Sequence, residues 1–252
     1  MILAIDTAGP VLGIALVRTC TVVDSYEEDR GLRHVEDLVP GIERILARTG
    51  LTPGAIDAVA VSAGPGSFTG LRVGMATAKG FALARGISVY SVSTLAAFAR
   101  QEIEARKKGD AQNSGGLAGA AGATDTVAAI VPILDARKGR VYGAVFEPDR
   151  GARRTEDLDL PVEELVRRVT AITGSRRWVW VGPEATATGF SPAPPISESR
   201  SAAPGTALLA AEMIDAGIPP DDPYAGPTYL RSGDIGEKKR VVRFGGKRGD
   251  TS

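Results

Sequence analysis

Apolar residues recur along the chain in two alternating periods, and the changes between them mark the elements. The runs Ile2–Asp6, Leu12–Arg18 and Thr21–Tyr26 predict three short strands, with Gly9-Pro10 turning between the first two. From His34 to Arg48 the period lengthens to that of a helix: Val35, Leu38, Val39, Ile42, Ile45 and Leu46 share one face. Glu36, Asp37, Glu43, Arg44 and Arg48 take the other, and Pro40, which removes a backbone donor, is expected to bend the helix. Thr52-Pro53 predicts a brief turn, Ala58–Val61 a strand, Ile87–Val92 another strand, and Thr94–Lys107 a helix capped by Ser93 or Thr94. Residues 109–126 are dominated by Gly, Ala, Ser and Thr without any hydrophobic period, which predicts a linker or an enlarged surface loop. Val127–Asp135 and Val141–Glu147 then predict a hairpin across Ala136-Arg137-Lys138-Gly139-Arg140. A helix over Pro161–Thr173, a strand at Trp178–Val181, irregular chain over Gly182–Pro204 and a helix at Thr206–Ala216 follow. Pro227–Arg231 reads as a last ordered segment before a polar, basic tail.

The stretch Val59–Gly86 organises the rest. An apolar strand ends at Ser62, the loop Ala63–Gly70 carries three glycines, and a helix runs from Leu71 to Arg85. Only Arg72, Lys79 and Arg85 are charged in that helix, so it is expected to be covered on more than one side. Gly74 and Gly80 each weaken it by roughly 1 kcal/mol relative to Ala, which close packing must offset. Helical winding puts Gly70, Gly74, Thr77, Phe81 and Ala84 on one stripe and Leu71, Met75, Ala78 and Ala82 on the next. One stripe suffices for the chain's own sheet, which leaves the other for a second helix.

Two apolar hairpins echo each other. ILAID turning into LGIALV and IVPILD turning into VYGAVF each carry an aspartate, Asp6 and Asp135, at the end of the first strand, which predicts a duplicated architecture. Composition narrows the function classes. Lys plus Arg and Asp plus Glu are 30 each, so no global field points to nucleic acid or membrane. No run approaches the roughly 18 apolar residues of a membrane span, and the opening MILAIDTAG reads as a buried strand. The single Cys20 fits a reducing cytoplasm. The single His34 makes a His-based metal site or a Ser-His-Asp triad hard to assemble, and as a lone imidazole it reads as a helix-end or packing residue.

The glycine loop lacks the Lys-Ser/Thr of a P-loop, and Ser67 stands directly after Gly66, which is wrong for a nucleophile elbow. Two readings stay open: a cradle of backbone amides for an anion, or a tight turn with close packing. Asp6-Thr7, and likewise Asp135, suit either a metal-bound phosphate at a strand end or a structural role.

Several motifs together resemble the TsaB (YeaZ) family: Ile5-Asp6-Thr7, the run Val61–Gly74 (VSAGPGSFTGLRVG), Asp135–Gly139 and Tyr229-Leu230-Arg231, over Met1 to about Arg231. The resemblance implies an α/β fold of the actin-like, sugar-kinase and Hsp70 class, with two related domains of which the second is reduced. The corresponding boundaries are 1–105 for the first domain, joined by 206–231, then an insertion or linker at 106–125, a second domain at 126–205 and a basic tail at 232–252.

It further implies a non-catalytic cytoplasmic scaffold for TsaD, the transferase that places threonylcarbamoyl on an adenosine beside the tRNA anticodon. TsaE belongs to the larger assembly, tRNA is met indirectly, and no membrane is involved. In TsaD a His-x-x-x-His motif holds the catalytic metal, and the matching positions here are Thr94 and Phe98. The implied partner interface is made by the two helices His34–Arg48 and Leu71–Arg85, with His34, Leu38, Ile42, Gly66, Phe68, Gly70, Arg72, Gly74, Thr77 and Phe81 as its residues. On this reading Gly74→Leu abolishes TsaD binding and leaves the monomer folded. A homodimer through the same helices stays open. No cofactor is required by this chain, and ATP or ADP is a matter for the assembled complex. The rival from another class is an autonomous kinase or ATPase of the same fold, with Asp6, Thr7 and Asp135 around a magnesium nucleotide.

Overall fold

A computed structural model of the protein describes residues 1–29, 33–108, 127–183, 196–197 and 200–230. Its first sheet grows from β1 (Ile2–Asp6), which pairs antiparallel with β2 (Leu12–Arg18), itself antiparallel to β3 (Thr21–Glu28). After α1 (His34–Arg48) and a short 3-10 turn at Pro53–Ala55, β4 (Ala58–Gly64) joins the other side of β1 in parallel. Then α2 (Phe68–Arg85) crosses over to β5 (Ser88–Ser93), parallel to β4, and the strand order is β3-β2-β1-β4-β5. Every residue of β1 and β4 is buried, because helices cover both faces of this sheet, whereas the edge strand β3 alternates exposed and half-buried positions.

The second sheet repeats the scheme. After α3 (Thr94–Lys107), β6 (Ala129–Arg137) pairs antiparallel with β7 (Arg140–Gly143), and β7 with β8 (Leu158–Pro161). Next come α4 (Val162–Thr173) and β9 (Trp178–Val181), parallel to β6, with β10 (Ile196–Ser197) parallel to β9. The order β8-β7-β6-β9-β10 matches that of the first sheet strand for strand. The echo between the two opening hairpins therefore extends to a whole repeated topology.

The last helix, α5 (Ala203–Asp215), returns to the first sheet and packs on β1 to β5 and against α3, while α3 also reaches β6 and β9. These two helices lie between the sheets, and one apolar core joins Ala4, Ala60 and Val92 of the first sheet to Ile130, Leu134 and Val179 of the second. They approach closely: a Cβ at Gly205 would run into the carbonyl of Ala97. On the outer face of the first sheet Leu38, Ile42 and Ile45 of α1 and Met75, Ala78 and Ala82 of α2 cover Leu3, Ile5, Ile14, Val59 and Val61. On the second, Leu165 and Val169 of α4 cover Val131, Ile133 and Trp180.

Several boundaries differ from the sequence reading. α2 starts at Phe68, three residues early, because the hydroxyl of Ser67 accepts from the amide of Gly70 and caps it. β7 ends at Gly143, and beyond it Phe146 makes isolated bridges to Ile130 and to Arg153 in place of a continuous strand. β8 was not foreseen, since Leu158-Asp159-Leu160-Pro161 is too short to show a period. The irregular stretch expected over Gly182–Pro204 contains β10 and the start of α5. Most of the Gly/Ala-rich insertion, together with Arg231 and the basic tail, lies outside the described residues.

Candidate functional site

The glycine loop is built against the turn that follows β1. The amide of Ser67 donates to the carbonyl of Ala8 at 2.8 Å, and the amide of Leu71 to the carbonyl of Ser67 at 2.8 Å. The hydroxyl of Thr7 donates to the carbonyl of Gly70 at 2.7 Å. A side chain at Gly66 would meet Ala8, one at Gly70 the Thr7 carbonyl, and one at Gly74 the Thr7 hydroxyl. Close packing is fulfilled by this geometry, and the amides of Ser67, Gly70 and Leu71 are engaged within the chain.

That arrangement turns several of the residues expected at a partner interface toward this chain's own sheet. Gly66, Gly70 and Gly74 face β1 and its turn inside this chain, not a partner helix. His34, Leu38 and Ile42 are buried beneath α1, with His34 Nε2 3.0 Å from the carbonyl oxygen of Gly9. The difference has one cause: winding identifies residues that share a stripe, but not which stripe meets the sheet. Thr77 and Phe81 are half-buried at the flank of α2, and Phe68 and Arg72 are exposed.

The outward surface is made by other residues. On α1, Val35 and Val39 are 67% and 53% exposed, although the periodicity had grouped them with the buried face. On α2, Thr69, Arg72, Ala76, Gly80 and Ala84 are exposed, and Leu83 is 86% exposed. The two helices pack side by side on the sheet, so an apolar, small-residue face of two helices is presented with no cover from the described part of the chain.

None of the three cations of α2 is paired with a carboxylate among the described residues. Lys79 donates to the carbonyl of Pro223 at 2.6 Å and to that of Ala225, and Arg85 donates to the carbonyl of Gly54 at 3.2 Å. Arg72 Nε donates to the Tyr229 hydroxyl at 3.0 Å, with its guanidinium 3.8 Å from the centre of the Phe68 ring. Lys79 and Arg72 thereby hold a strap, residues 219–230, that leaves α5 and runs to the start of α2. The amide of Asp221 donates to Val89 and that of Thr228 to Ala63, at 3.0 and 2.7 Å. The sequence showed Pro227–Arg231 as an ordered segment; what it could not show was that Lys79, one of three charges in an otherwise uncharged helix, was an anchor for the chain leading to it.

Asp6 and Asp135 play matching local roles. Oδ1 of Asp6 accepts from the amide of Ala8 at 3.1 Å, and Oδ1 of Asp135 from the amide of Arg137 at 2.7 Å, so each closes the turn two residues on. Beyond that they diverge. Asp135 is exposed beside Arg137 at 3.3 Å, whereas Asp6 is buried and its Oδ2 accepts from the amide of Ala202 at 2.6 Å, at the start of α5. Burial pushes the Asp6 carboxyl up, against the amides of Ala202 and Ala8, the Ser62 hydroxyl and nearby His34, which pull it down. Thr94 and Phe98 are both buried, Phe98 within the core between the sheets. Among the described residues no group of three or more His, Cys, Asp or Glu side chains is placed to hold a metal ion, and no helix is long and apolar enough to cross a membrane.

Comparison with known proteins adds the family context. The model of the family described as TsaD, tRNA N6-adenosine threonylcarbamoyltransferase, matches residues 28–176. The tRNA threonylcarbamoyladenosine biosynthesis protein TsaB of Escherichia coli (strain K12) is 31% identical over 245 residues, covering 92% of this chain and 94% of its own. The protein of the same name from Bacillus subtilis (strain 168) is 32% identical over 150 residues, 60% of this chain and 56% of the relative. Among solved structures, YeaZ from Pseudomonas aeruginosa superposes with a TM-score of 0.70 at 25% identity, covering 91% of this chain and 99% of that one.

Proposed function

Since this chain belongs to the TsaB (YeaZ) family, we propose that it serves tRNA threonylcarbamoyladenosine biosynthesis as a non-catalytic subunit on which a TsaD-type transferase docks. The observation that carries the reading is the outer face of α1 and α2, where Val35, Val39 and Leu83 stand exposed beside a row of small residues on α2. Exposed apolar surface of this kind is disfavoured in water and marks a surface meant to be covered. A partner helix lying along Thr69, Ala76 and Gly80 meets almost no side-chain bulk, which allows close approach.

The non-catalytic half of the proposal rests on different residues. The chain matches the model of a transferase family, yet the positions where the resemblance implies that family's two metal-binding histidines hold Thr94 and Phe98, sealed at 0% and 1% exposure. A hydroxyl and a benzene ring cannot take over from two imidazoles. The rival reading, an autonomous kinase or ATPase, needs Asp6 free to face a nucleotide-bound magnesium ion, and the oxygens of Asp6 hold the amides of Ala8 and Ala202 instead. The residues present do not fit that group without moving α5. On this proposal TsaE and tRNA join through the transferase.

The test is a reconstituted modification reaction with the cognate transferase, its activated threonylcarbamoyl donor and unmodified tRNA, run with and without this chain. The scaffold reading expects product only when the chain is present, and background phosphate release from the chain alone. Turnover by the isolated chain would favour the rival.

A further inference from the structure

We infer that Arg72 is a preset carboxylate receptor on the docking face, seating one Asp or Glu side chain of the partner protein; this rests on the docking role proposed above. The guanidinium lies 3.8 Å from the ring centre of Phe68 and 6.0 Å from that of Tyr229, and the two rings are 5.0 Å apart. Nε donates to the Tyr229 hydroxyl at 3.0 Å, and the two Nη groups have no hydrogen-bond partner among the described residues. One face and one edge of the group are therefore fixed. What remains free is the fork of paired N–H donors that matches a carboxylate in bidentate geometry.

An exposed arginine ordinarily samples many rotamers and loses that freedom on binding. Here the loss has already been taken in folding, because Tyr229 is itself held by the strap: Thr228 is bonded to Ala63, and Pro223 and Ala225 to Lys79. A side chain ordered before its partner arrives binds with less entropic penalty. No carboxylate among the described residues competes, since α2 contains neither Asp nor Glu and Arg72 forms no ion pair there.

The surroundings favour a protein carboxylate over a phosphate of nucleic acid. Phosphate backbones are bound by several cations at once, whereas among the described residues Arg72 is set beside exposed Phe68, Tyr229 and Leu230, on a chain whose 30 basic residues balance 30 acidic ones. Arginine set among aromatic and aliphatic side chains is the composition of protein interface centres.

Titration calorimetry of the full chain against the cognate transferase tests this. Arg72→Lys keeps the charge and loses the fork, and Tyr229→Phe keeps the ring and loses the hydroxyl; each is expected to weaken binding roughly tenfold, and Arg72→Glu at least about a hundredfold. Thermal melting of each variant confirms that it folds, and Val39→Asp, on the apolar face, serves as the reference. If Val39→Asp weakens binding while Arg72→Lys and Tyr229→Phe do not, the receptor is overturned and the docking role stands. If none of the four changes affinity, the docking role itself fails. Loss of affinity for tRNA alone, with transferase binding intact, would overturn the carboxylate assignment.

Discussion

Thr7 occupies the space that side chains at Gly70 and Gly74 would need, with its carbonyl against the first and its hydroxyl against the second. The consequence is opposite to the one expected from the helix pattern alone. Gly74→Leu must displace the end of β1, so it destabilises the isolated chain by about 1–3 kcal/mol or more before any partner is involved. An unfolding midpoint in urea equal to that of the natural chain would refute this. Asp6 supplies a second test at the same scale. Its carboxyl is raised by burial, so the native state keeps the proton to higher pH than the unfolded chain does. The stabilisation from this group is then complete below about 3.9, the ordinary aspartate value, and is lost as pH rises through the raised native value. The unfolding free energy of the natural chain minus that of Asp6→Asn is expected to fall as pH rises from about 4 towards neutrality; a difference that grows with pH would contradict the assignment.

Among the elements, those with a strong period were legible: β1, β2, α1 and α3 begin and end where alternation or helical spacing places them. What periodicity could not supply was direction. Val35 and Val39 look as apolar as Leu38 and Ile42, and only the sheet beneath α1 separates a buried flank from an open one. The glycines of α2 posed the same problem, because a small residue permits close approach by a strand end or by a foreign helix equally well. α5 was read three residues short at its start, and its return to the first sheet was legible only through the family resemblance, since it is apolar on most sides and sits between two sheets. The open flank gives the prediction for this scale. Val39→Asp changes folding stability by no more than about 0.5 kcal/mol, as expected for an exposed position, and abolishes measurable transferase binding; an unaltered affinity would remove α1 from the interface.

For the whole molecule, the doubled topology was visible in the two aspartate-ended hairpins, and the strand order repeats in full. The halves are joined by α3 and α5, which share one core with both sheets, and by a polar tie in which Arg153 donates to Ser93 at 3.1 Å and Ser93 to Asp157 at 3.2 Å. The resemblance to the actin-like class implies a nucleotide cleft between the halves in its active members. Here the amide at the start of α5 takes the Asp6 carboxylate, and Thr94 and Phe98 are sealed. The chemistry is thus expected to come from the partner and the surface from this chain. Quantifying threonylcarbamoyladenosine in tRNA after reaction with the cognate transferase, with this chain present, absent or alone, tests that division directly. Product that depends on both proteins, with none from this chain by itself, is the predicted result; modification by this chain unaided, or full activity of the transferase without it, would contradict the account.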